Sequence, residues 1–230
     1  QYTFEPTNVI LAKERMGAYF NEKAKDIAIE DYKPGDKLIP FEVVDSFKGR
    51  DMEGMDYEQL MPYIPLEKPA FTVVIGDFVT TEDGTGIVHI SKTFGADDFK
   101  TSVQYDMPGV FVKDEEGKDV PIVNKQGKYV DEITDFAGMY VKNQYYKDGE
   151  APEKSLDVLI SIKLKEENRA FKVEKYEHSY PHCWRTDKPI LYYPLDSWFI
   201  KTTAYKDRLV ELNKTINWKP ASTGEGRFGN

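Results

Sequence analysis

The chain has 230 residues and a formal net charge of −9, and 40% of its residues are hydrophobic. An acidic chain is a poor free-standing nucleic-acid binder, because contacts to phosphate need clustered lysine and arginine. We see no signal peptide and no apolar run long enough to span a membrane, so we expect a cytoplasmic protein without membrane contact. A single cysteine excludes an internal disulfide and fits a reducing compartment.

The first half of the chain predicts a helical stretch and several short strands. Residues 9–25 carry apolar side chains at a rough helical period, and residues 41–47 alternate as in a strand. Residues 70–90 predict a strand, a turn and a second strand, because Val, Phe and Thr precede a bend containing Gly84 and Gly86.

The second half predicts a β-meander and two further helices. Residues 108–130 hold three short β-like runs separated by polar turns, and residues 170–176 and 191–202 also predict strands. Helices are predicted over 151–167 and 204–215. The fold class that follows is α+β, with a β-barrel-like core of mostly antiparallel strands and several peripheral helices.

A histidine and a carboxylate flank the bend that follows the second predicted strand. His89 and Asp98 are nine positions apart, so they can face a small ligand from two sides of the bend. The structural alternative is that neither binds a ligand, since the pair has no metal or triad spacing. Asp97 or Asp98 would also simply suit the positive end of a helix dipole.

Three motifs with distinctive residues follow one another along the chain. The first is Gly84-Thr85-Gly86-Ile87-Val88-His89 with Phe94-Gly95-Ala96-Asp97-Asp98. The second is His178-Ser179-Tyr180-Pro181-His182-Cys183-Trp184-Arg185. The third comprises Asp196-Ser197-Trp198-Phe199-Ile200, Lys206-Asp207-Arg208-Leu209, Asn213, Ile216-Asn217-Trp218, Pro220 and Gly226-Arg227-Phe228-Gly229-Asn230. These three motifs, in this order, resemble the class I isoleucyl-tRNA synthetase family. The first 69 residues resemble that family more loosely, through residues 10–13 and 65–66.

The resemblance implies an editing domain, the insertion that hydrolyses wrongly charged tRNA in these synthetases. Residues 1–176 would form this domain, and residues 177–230 would complete it and return toward a catalytic domain outside this chain, in a single compact domain overall. The substrate would be the acceptor end of tRNA(Ile) carrying valine, and the chain would act as part of a monomeric parent synthetase. No motif of the His-Ile-Gly-His or Lys-Met-Ser-Lys-Ser type occurs here. We therefore expect no cofactor for this domain, and ATP and magnesium only for the parent enzyme.

The resemblance also assigns roles to individual residues. Asp98 matches the carboxylate that binds the α-ammonium of the misattached amino acid, and His89 matches a histidine that limits the pocket and positions substrate or water. Phe94 matches an aromatic pocket wall, for which ordinary core packing is an equal alternative. Thr85 and Gly86 belong to the turn under the site, and Tyr180 matches an aromatic on the pocket side. Asp97 is expected to be a solvated neighbour.

Two departures from the family limit these expectations. A Thr-Thr-Pro-Trp-Thr type run should precede residue 1, so the site is expected to be incomplete and the isolated chain weakly active or inactive. Relatives often carry Cys-x-x-Cys where this chain has Cys183 and Thr186, so we expect no zinc site. His178, His182 and Cys183 are an alternative set of metal ligands. The bend at Pro181 argues against it, because it would send the three side chains in different directions.

Two other functions remain open at this stage. The isolated chain could be a non-catalytic module that guides the acceptor end of tRNA, which the missing threonine-rich run would favour. Without the resemblance, His89, Asp97 and Asp98 would suggest a metal-dependent hydrolase, which metal content would reveal.

Overall fold

Four α-helices and many single helical turns occur in the part of the chain that the computed structural model describes, residues 6–66 and 68–228. The α-helices are α1 (Met16–Tyr19), α2 (Ala96–Gln104), α3 (Leu156–Glu166) and α4 (Lys206–Asn213). Turns of 3₁₀-helix lie at Lys13–Arg15, Glu22–Ala24, Ile29–Asp31, Gly49–Met52, Thr134–Phe136, Asn143–Tyr145 and Thr202–Tyr205, and a π-helical turn at Thr223–Arg227. The chain divides into two units, the first ending at Pro194 and the second beginning at Leu195.

A two-stranded antiparallel sheet begins the predicted meander. Strand β1 (Phe111–Lys113) pairs with β2 (Asp119–Pro121), and Val112 lies opposite Val120. The turn between them closes on Asp114, whose carboxylate accepts hydrogen bonds from two backbone N–H groups of the turn. The third predicted run continues only as isolated bridges, from Val123 to Tyr129 and from Lys128 to Tyr140. The chain is therefore a mixture of helix and antiparallel sheet, as predicted.

Helix α3 lies within the predicted helix over 151–167 and has charges suited to its dipole. Asp157 lies in the first turn, and Lys163 and Lys165 lie in the last. The helix ends at Glu166, and Asn168, two residues further on, has φ of +57°. The next N–H, from Arg169, bonds back to the carbonyl of Leu164, which closes the helix end.

The hydrophobic core lies between the sheet and α3 in the first unit. Its buried members are Ile64, Val112, Ile133, Phe136 and Leu156. Partly buried side chains surround them, among them Tyr63, Val120, Tyr129, Met139, Val141 and Leu159. None of the predicted site residues belongs to this cluster, so the candidate site lies outside the core of the first unit.

The predicted strand pair over 70–90 is wrong as a hairpin. Residues 71–73 pair with residues 54–57 instead, through hydrogen bonds of 2.8–2.9 Å between backbone groups. Residues 87–90 form no strand in the described part of the chain, because the preceding glycine turn is held by a different segment and does not fold back on residues 71–73. The predicted strands over 41–47, 170–176 and 191–202 likewise acquire no ladder there. Across residues 6–66 and 68–228 no barrel closes, so the barrel-like core is not confirmed.

The second unit is built around α4, as predicted, and gathers several residues of the third motif. The ring of Trp218 stacks on Phe228, with centroids 5.1 Å apart and planes 6° from parallel. Asn213 donates its side-chain N–H to the carbonyl of Phe228 at 2.9 Å. Two residues of this motif, Gly229 and Asn230, lie outside the described residues. The sequence also predicts part of a hairpin over residues 1–6, of which residues 1–5 lie outside the described ranges. No helix in the described ranges is both long and apolar enough to cross a membrane.

Candidate functional site

The glycine turn of the first motif is held by the segment at residues 12–15. Arg15 donates two hydrogen bonds to turn carbonyls, from Nε to Gly84 at 2.9 Å and from Nη1 to Glu82 at 3.0 Å. The N–H of Ala12 donates to the carbonyl of Thr85 at 2.7 Å. The loose resemblance at residues 10–13 therefore overlaps a tertiary contact, and sequence reasoning missed Arg15 because this interaction spans 69 residues.

Thr85 and Gly86 form the far side of this turn. Thr85 exchanges hydrogen bonds with the backbone of Ile87, accepting from its N–H at 3.3 Å and donating to its carbonyl at 3.1 Å. Gly86 has φ of +79°, and a β-carbon on it would lie 2.5 Å from that of Ala12. The predicted backbone role of both residues therefore has a geometric basis.

Tyr176 connects the turn to the second motif. Its hydroxyl donates to the carboxylate of Asp83, which raises the pKa of Tyr176. Asp83 also accepts the N–H of Gly84 at 2.7 Å. This backbone hydrogen bond, then the Tyr176 hydroxyl and the charge of Arg15, lower the pKa of Asp83, so its carboxylate is ionised at neutral pH.

Three rings at alternate positions extend from Tyr176 to the predicted site residue Tyr180. His178 stacks on Tyr176 at 5.4 Å between centroids and meets Tyr180 edge-on at 5.9 Å. Tyr180 donates its hydroxyl to the carbonyl of Ile190 at 2.8 Å, and burial raises its pKa. We call Tyr176, His178 and Tyr180 the aromatic ladder.

Phe94 contacts the same segment, residues 190–193. Its ring lies 6.5 Å from that of Tyr193, centroid to centroid, at 60°. Tyr193 is half-buried, and burial raises its pKa. Sequence reasoning missed Tyr193, whose only signal was its place in a predicted strand. Phe94 and Tyr180 therefore contact the same short segment, Phe94 at Tyr193 and Tyr180 at Ile190.

Asp98 is held in place at the beginning of α2. Its Oδ2 accepts the N–H of Ser91 at 3.2 Å, and a β-carbon on Gly95 would lie 2.7 Å from that oxygen. Its Oδ1 makes no hydrogen bond to a residue that the structure describes, and the side chain is half-buried while Asp97 is exposed. The carboxylate lies near the N-terminus of α2, where the sequence predicts that it interacts with the helix dipole. Its second oxygen can accept a hydrogen bond from a ligand.

His89 is not joined directly to Asp98. The imidazole is exposed and makes no hydrogen bond or ion pair within residues 6–66 and 68–228. Its backbone is only two residues from Ser91, which binds Asp98, and two residues span at most about 7 Å. The two predicted site residues are thus neighbours through Ser91 and not partners.

Cys183 lies in a tight hairpin that follows the aromatic ladder. The N–H of Cys183 donates to the carbonyl of Lys188, and its carbonyl accepts from Asp187, each at 2.8 Å. The Thr186 hydroxyl, then the N–H groups of Arg185 and Thr186, lower the pKa of the thiol by donating hydrogen bonds to it.

The residues suggested as metal ligands do not form a cluster. The Nδ1 atom of His182 lies 2.9 Å from the carbonyl of Asp187, and that of His178 lies 3.0 Å from the carbonyl of Ser179. No three His, Cys, Asp or Glu side chains converge in the described ranges. Neither metal-binding alternative therefore has a ligand set there.

Comparison with known proteins identifies similar sequences along the whole chain. An isoleucine–tRNA ligase from Cytophaga hutchinsonii is 63% identical and aligns with 100% of this chain and 22% of the relative. The chain is similar over its full length to one segment of isoleucine–tRNA ligases. An isoleucine–tRNA ligase from Bacteroides fragilis is 51% identical over 99% of the chain, and one from Clostridium acetobutylicum is 45% identical over 82%. No protein-family model matches the chain.

These matches to isoleucine–tRNA ligases extend the resemblance to the loosely matching N-terminal part. All three motifs and residues 1–69 fall within the segment aligned with the Cytophaga ligase. The chain spans about a fifth of the length of the relatives it matches. It therefore fits a fragment of an isoleucine–tRNA ligase.

Proposed function

We propose that the chain is the editing domain of an isoleucine–tRNA ligase and hydrolyses the ester of Val-tRNA(Ile). The parent enzyme charges tRNA(Ile) with isoleucine, using ATP and magnesium, and this domain needs no cofactor of its own. The observation that carries the proposal is Asp98, a half-buried carboxylate fixed through one oxygen while the other has no partner among the described residues.

A second, hydrolytic site is needed because binding energy alone distinguishes valine from isoleucine poorly. One missing methylene is worth only about 1–3 kcal/mol in a pocket, and synthetases for small apolar amino acids are the standard example of this limit. A synthetic site for isoleucine therefore accepts some valine. A site that admits valine and excludes isoleucine by size removes the error.

Asp98 would bind the α-ammonium group of the valyl ester. A carboxylate held by one N–H gives a charge-assisted acceptor that does not have to be ordered when substrate arrives. Water would then attack the ester carbonyl carbon. The bond from that carbon to the ribose oxygen breaks, and the ribose oxygen takes the proton, releasing valine and tRNA.

The other predicted residues would bound the substrate. His89, two residues before Ser91, would limit the side-chain end of the pocket or position the water. Phe94, with Tyr193 beside it, would form one wall, and Tyr180, which binds the carbonyl of Ile190, would contribute a second aromatic ring. Thr85 and Gly86 would support the site through the backbone of their turn.

The alternative is a module that guides the acceptor end of tRNA without cleaving the ester. Asp98 and His89 favour hydrolysis in the parent enzyme, because guiding the acceptor end requires neither an ammonium acceptor nor a size-limiting imidazole. The same proposal includes a barrel-like core of mostly antiparallel strands in a single compact domain. Residues 1–176 would form its main part, and residues 177–230 would complete it and return toward the catalytic domain. The parent would be a monomer in the cytoplasm.

Deacylation of preformed Val-tRNA(Ile) and Ile-tRNA(Ile) by the full-length parent tests the proposal. Asp98→Ala should slow hydrolysis of the valyl ester about ten- to a hundredfold, since one charge-assisted contact is worth about 1.5–3 kcal/mol. Isoleucine charging should stay intact, so Val-tRNA(Ile) should accumulate. Asp97→Ala is the matched control and should change little, because that side chain is exposed.

His89→Ala distinguishes the two roles of the imidazole. Hydrolysis of the isoleucyl ester would show that His89 limits pocket size, and slower hydrolysis of the valyl ester would show that it positions water. If Asp97→Ala abolishes hydrolysis and Asp98→Ala is silent, Asp97 is the ammonium ligand. If none of the three variants changes hydrolysis, the bend is structural.

A further inference from the structure

The aromatic ladder leaves much of its ring surface uncovered. Tyr176 is 68% exposed and His178 is also exposed, although both lie in an extended segment whose rings contact one another. The hairpin that follows adds Trp184, which is 85% exposed. Stacked rings of this kind present flat apolar faces to solvent.

Two cationic side chains, Lys142 and Arg185, lie over rings of this surface. The ammonium group of Lys142 lies 4.8 Å from the ring centroid of Tyr180, and the guanidinium of Arg185 lies 4.6 Å from that of Trp184. The acidic residues near the rings have cationic neighbours: Glu174 pairs with Lys172 and Glu177 with Lys175, each at 2.8 Å, and the Asp83 carboxylate on the Tyr176 hydroxyl lies near the charge of Arg15. The surface thus offers positive charge at Lys142 and Arg185 despite the negative net charge of the chain.

We propose that the aromatic ladder is a stacking platform for unpaired nucleotides of an RNA single strand. The proposal rests on the proposed function, for which it supplies a surface that receives the acceptor end of tRNA. Bases would stack on the exposed faces of Tyr176 and His178, and Lys142 and Arg185 would meet the phosphates. Aromatic faces beside cations are the combination by which proteins bind single strands without reading their sequence.

The polar character of the surface argues against a protein partner. A protein-binding patch buries apolar side chains at its centre and keeps charge at the rim. Here Glu177 and Ser179 alternate with the rings of the ladder. The two tyrosine hydroxyls are already bonded to Asp83 and Ile190, and a cation lies over one ring. A nucleotide uses ring faces and cations together, whereas an apolar protein surface would have to desolvate those cations.

Binding of a fluorescently labelled single-stranded RNA of about ten nucleotides to the full chain tests this proposal. The comparison is the same RNA annealed to its complement, in which base faces are hidden. Tyr176→Leu and His178→Leu should each weaken single-strand binding roughly five- to a hundredfold, because stacking on one ring contributes about 1–3 kcal/mol per base. Lys142→Gln should weaken binding and flatten its dependence on salt.

Two controls separate stacking from structural effects. Tyr176→Phe keeps the ring and loses only the hydroxyl that Asp83 accepts, so single-strand binding should be retained. Tyr205→Leu, in the second unit, removes a ring that is 63% exposed and should leave binding unchanged. Loss of binding in Tyr176→Phe equal to that in Tyr176→Leu would overturn the proposal, since the ring itself would then contribute nothing.

Other outcomes would also overturn it. These are no binding of single-stranded RNA, equal binding of single strand and duplex, or unchanged binding in Tyr176→Leu and His178→Leu, which would point to a protein contact instead. The assay uses uncharged RNA and therefore does not depend on hydrolysis. Failure of Val-tRNA(Ile) deacylation with single-strand binding intact would refute the editing proposal alone.

Discussion

Gly86 lies so close to Ala12 that a β-carbon on the glycine would be 2.5 Å from the β-carbon of Ala12. This contact, with the hydrogen bonds from Ala12 and Arg15, holds the turn that precedes His89. Its energetic value can be measured separately from the backbone strain, because the neighbouring Gly84 also has positive φ but nothing within 4 Å of its β-carbon position.

Gly86→Ala should therefore destabilise the protein more than Gly84→Ala. Both variants place a side chain in a left-handed conformation, at a cost of about 1–2 kcal/mol, and only Gly86→Ala adds overpacking of about 1–3 kcal/mol. Urea unfolding of both variants measures the difference. Ala12→Gly combined with Gly86→Ala should recover most of the added cost. Equal destabilisation by the two alanine variants would show that the contact carries no energy.

Tyr63→Phe should remove a part of the alkaline pH dependence of stability. The Tyr63 hydroxyl donates to Asp135 at 2.7 Å, and Lys163 binds the same carboxylate at 2.7 Å. Burial, then the Asp135 hydrogen bond, raises the pKa of Tyr63 to about 12. The unfolded chain has a tyrosine pKa of about 10, so the folded state holds this proton longer and its stabilisation is lost as pH rises from 10 to 12.

The measurement for Tyr63 is the free energy of unfolding in urea at neutral pH and at several values between pH 10 and 12. Other tyrosines in the chain also have raised pKa values, so the wild type minus Tyr63→Phe difference isolates this residue. We expect that difference to be about 1 kcal/mol at neutral pH and to shrink toward zero by pH 12. A difference that grows with pH would contradict the assignment of the proton to Tyr63.

Thr186→Val should make Cys183 less reactive at neutral pH. Of the three hydrogen-bond donors to the thiol, the Thr186 hydroxyl lowers its pKa the most. Loss of this hydroxyl should therefore raise the pKa of Cys183 and reduce the thiolate fraction. Alkylation by iodoacetamide should slow about two- to tenfold, and the pH profile of the rate should move to higher pH. Thr81→Val, an exposed threonine outside this hairpin, should leave rate and profile unchanged.

Purified protein should contain no stoichiometric zinc, as the sequence predicts. A structural zinc site needs four ligands, and in this hairpin Thr186 stands where a second thiolate would be required. Elemental analysis before and after chelator treatment measures the content. Zinc at one ion per chain that survives the chelator would contradict this expectation and would make His178 and His182 the next ligand candidates.

The sequence predicted the elements whose determinants are local. Helix α3 has its acidic first turn and basic last turn within eleven residues, and the β1–β2 turn is closed by its own Asp114. Helix α4 also lies within its predicted range. In each case residues a few positions apart make the deciding interactions, so pattern and turn chemistry suffice.

Only the tertiary structure decided which distant segments meet. Residues 71–73 pair with 54–57 and not with the strand predicted after the glycine turn. Strand pairing depends on partners that local alternation does not specify, so the second half of the predicted hairpin was wrong.

The first two motifs gave the candidate site residues by resemblance, and their roles stay predictions: Asp98, His89, Phe94, Thr85, Gly86 and Tyr180. The sequence by itself determined this set and the full-length similarity to isoleucine–tRNA ligases. The structure added the residues that support the set: Arg15 under the turn, Ser91 on Asp98 and Tyr193 beside Phe94. Arg15 is 69 positions from Gly84, and Tyr193 is 99 positions from Phe94, whereas Ser91 is close to Asp98 in the chain. Contacts at such separations form only when the whole chain has folded, so no local pattern in the sequence could have predicted them.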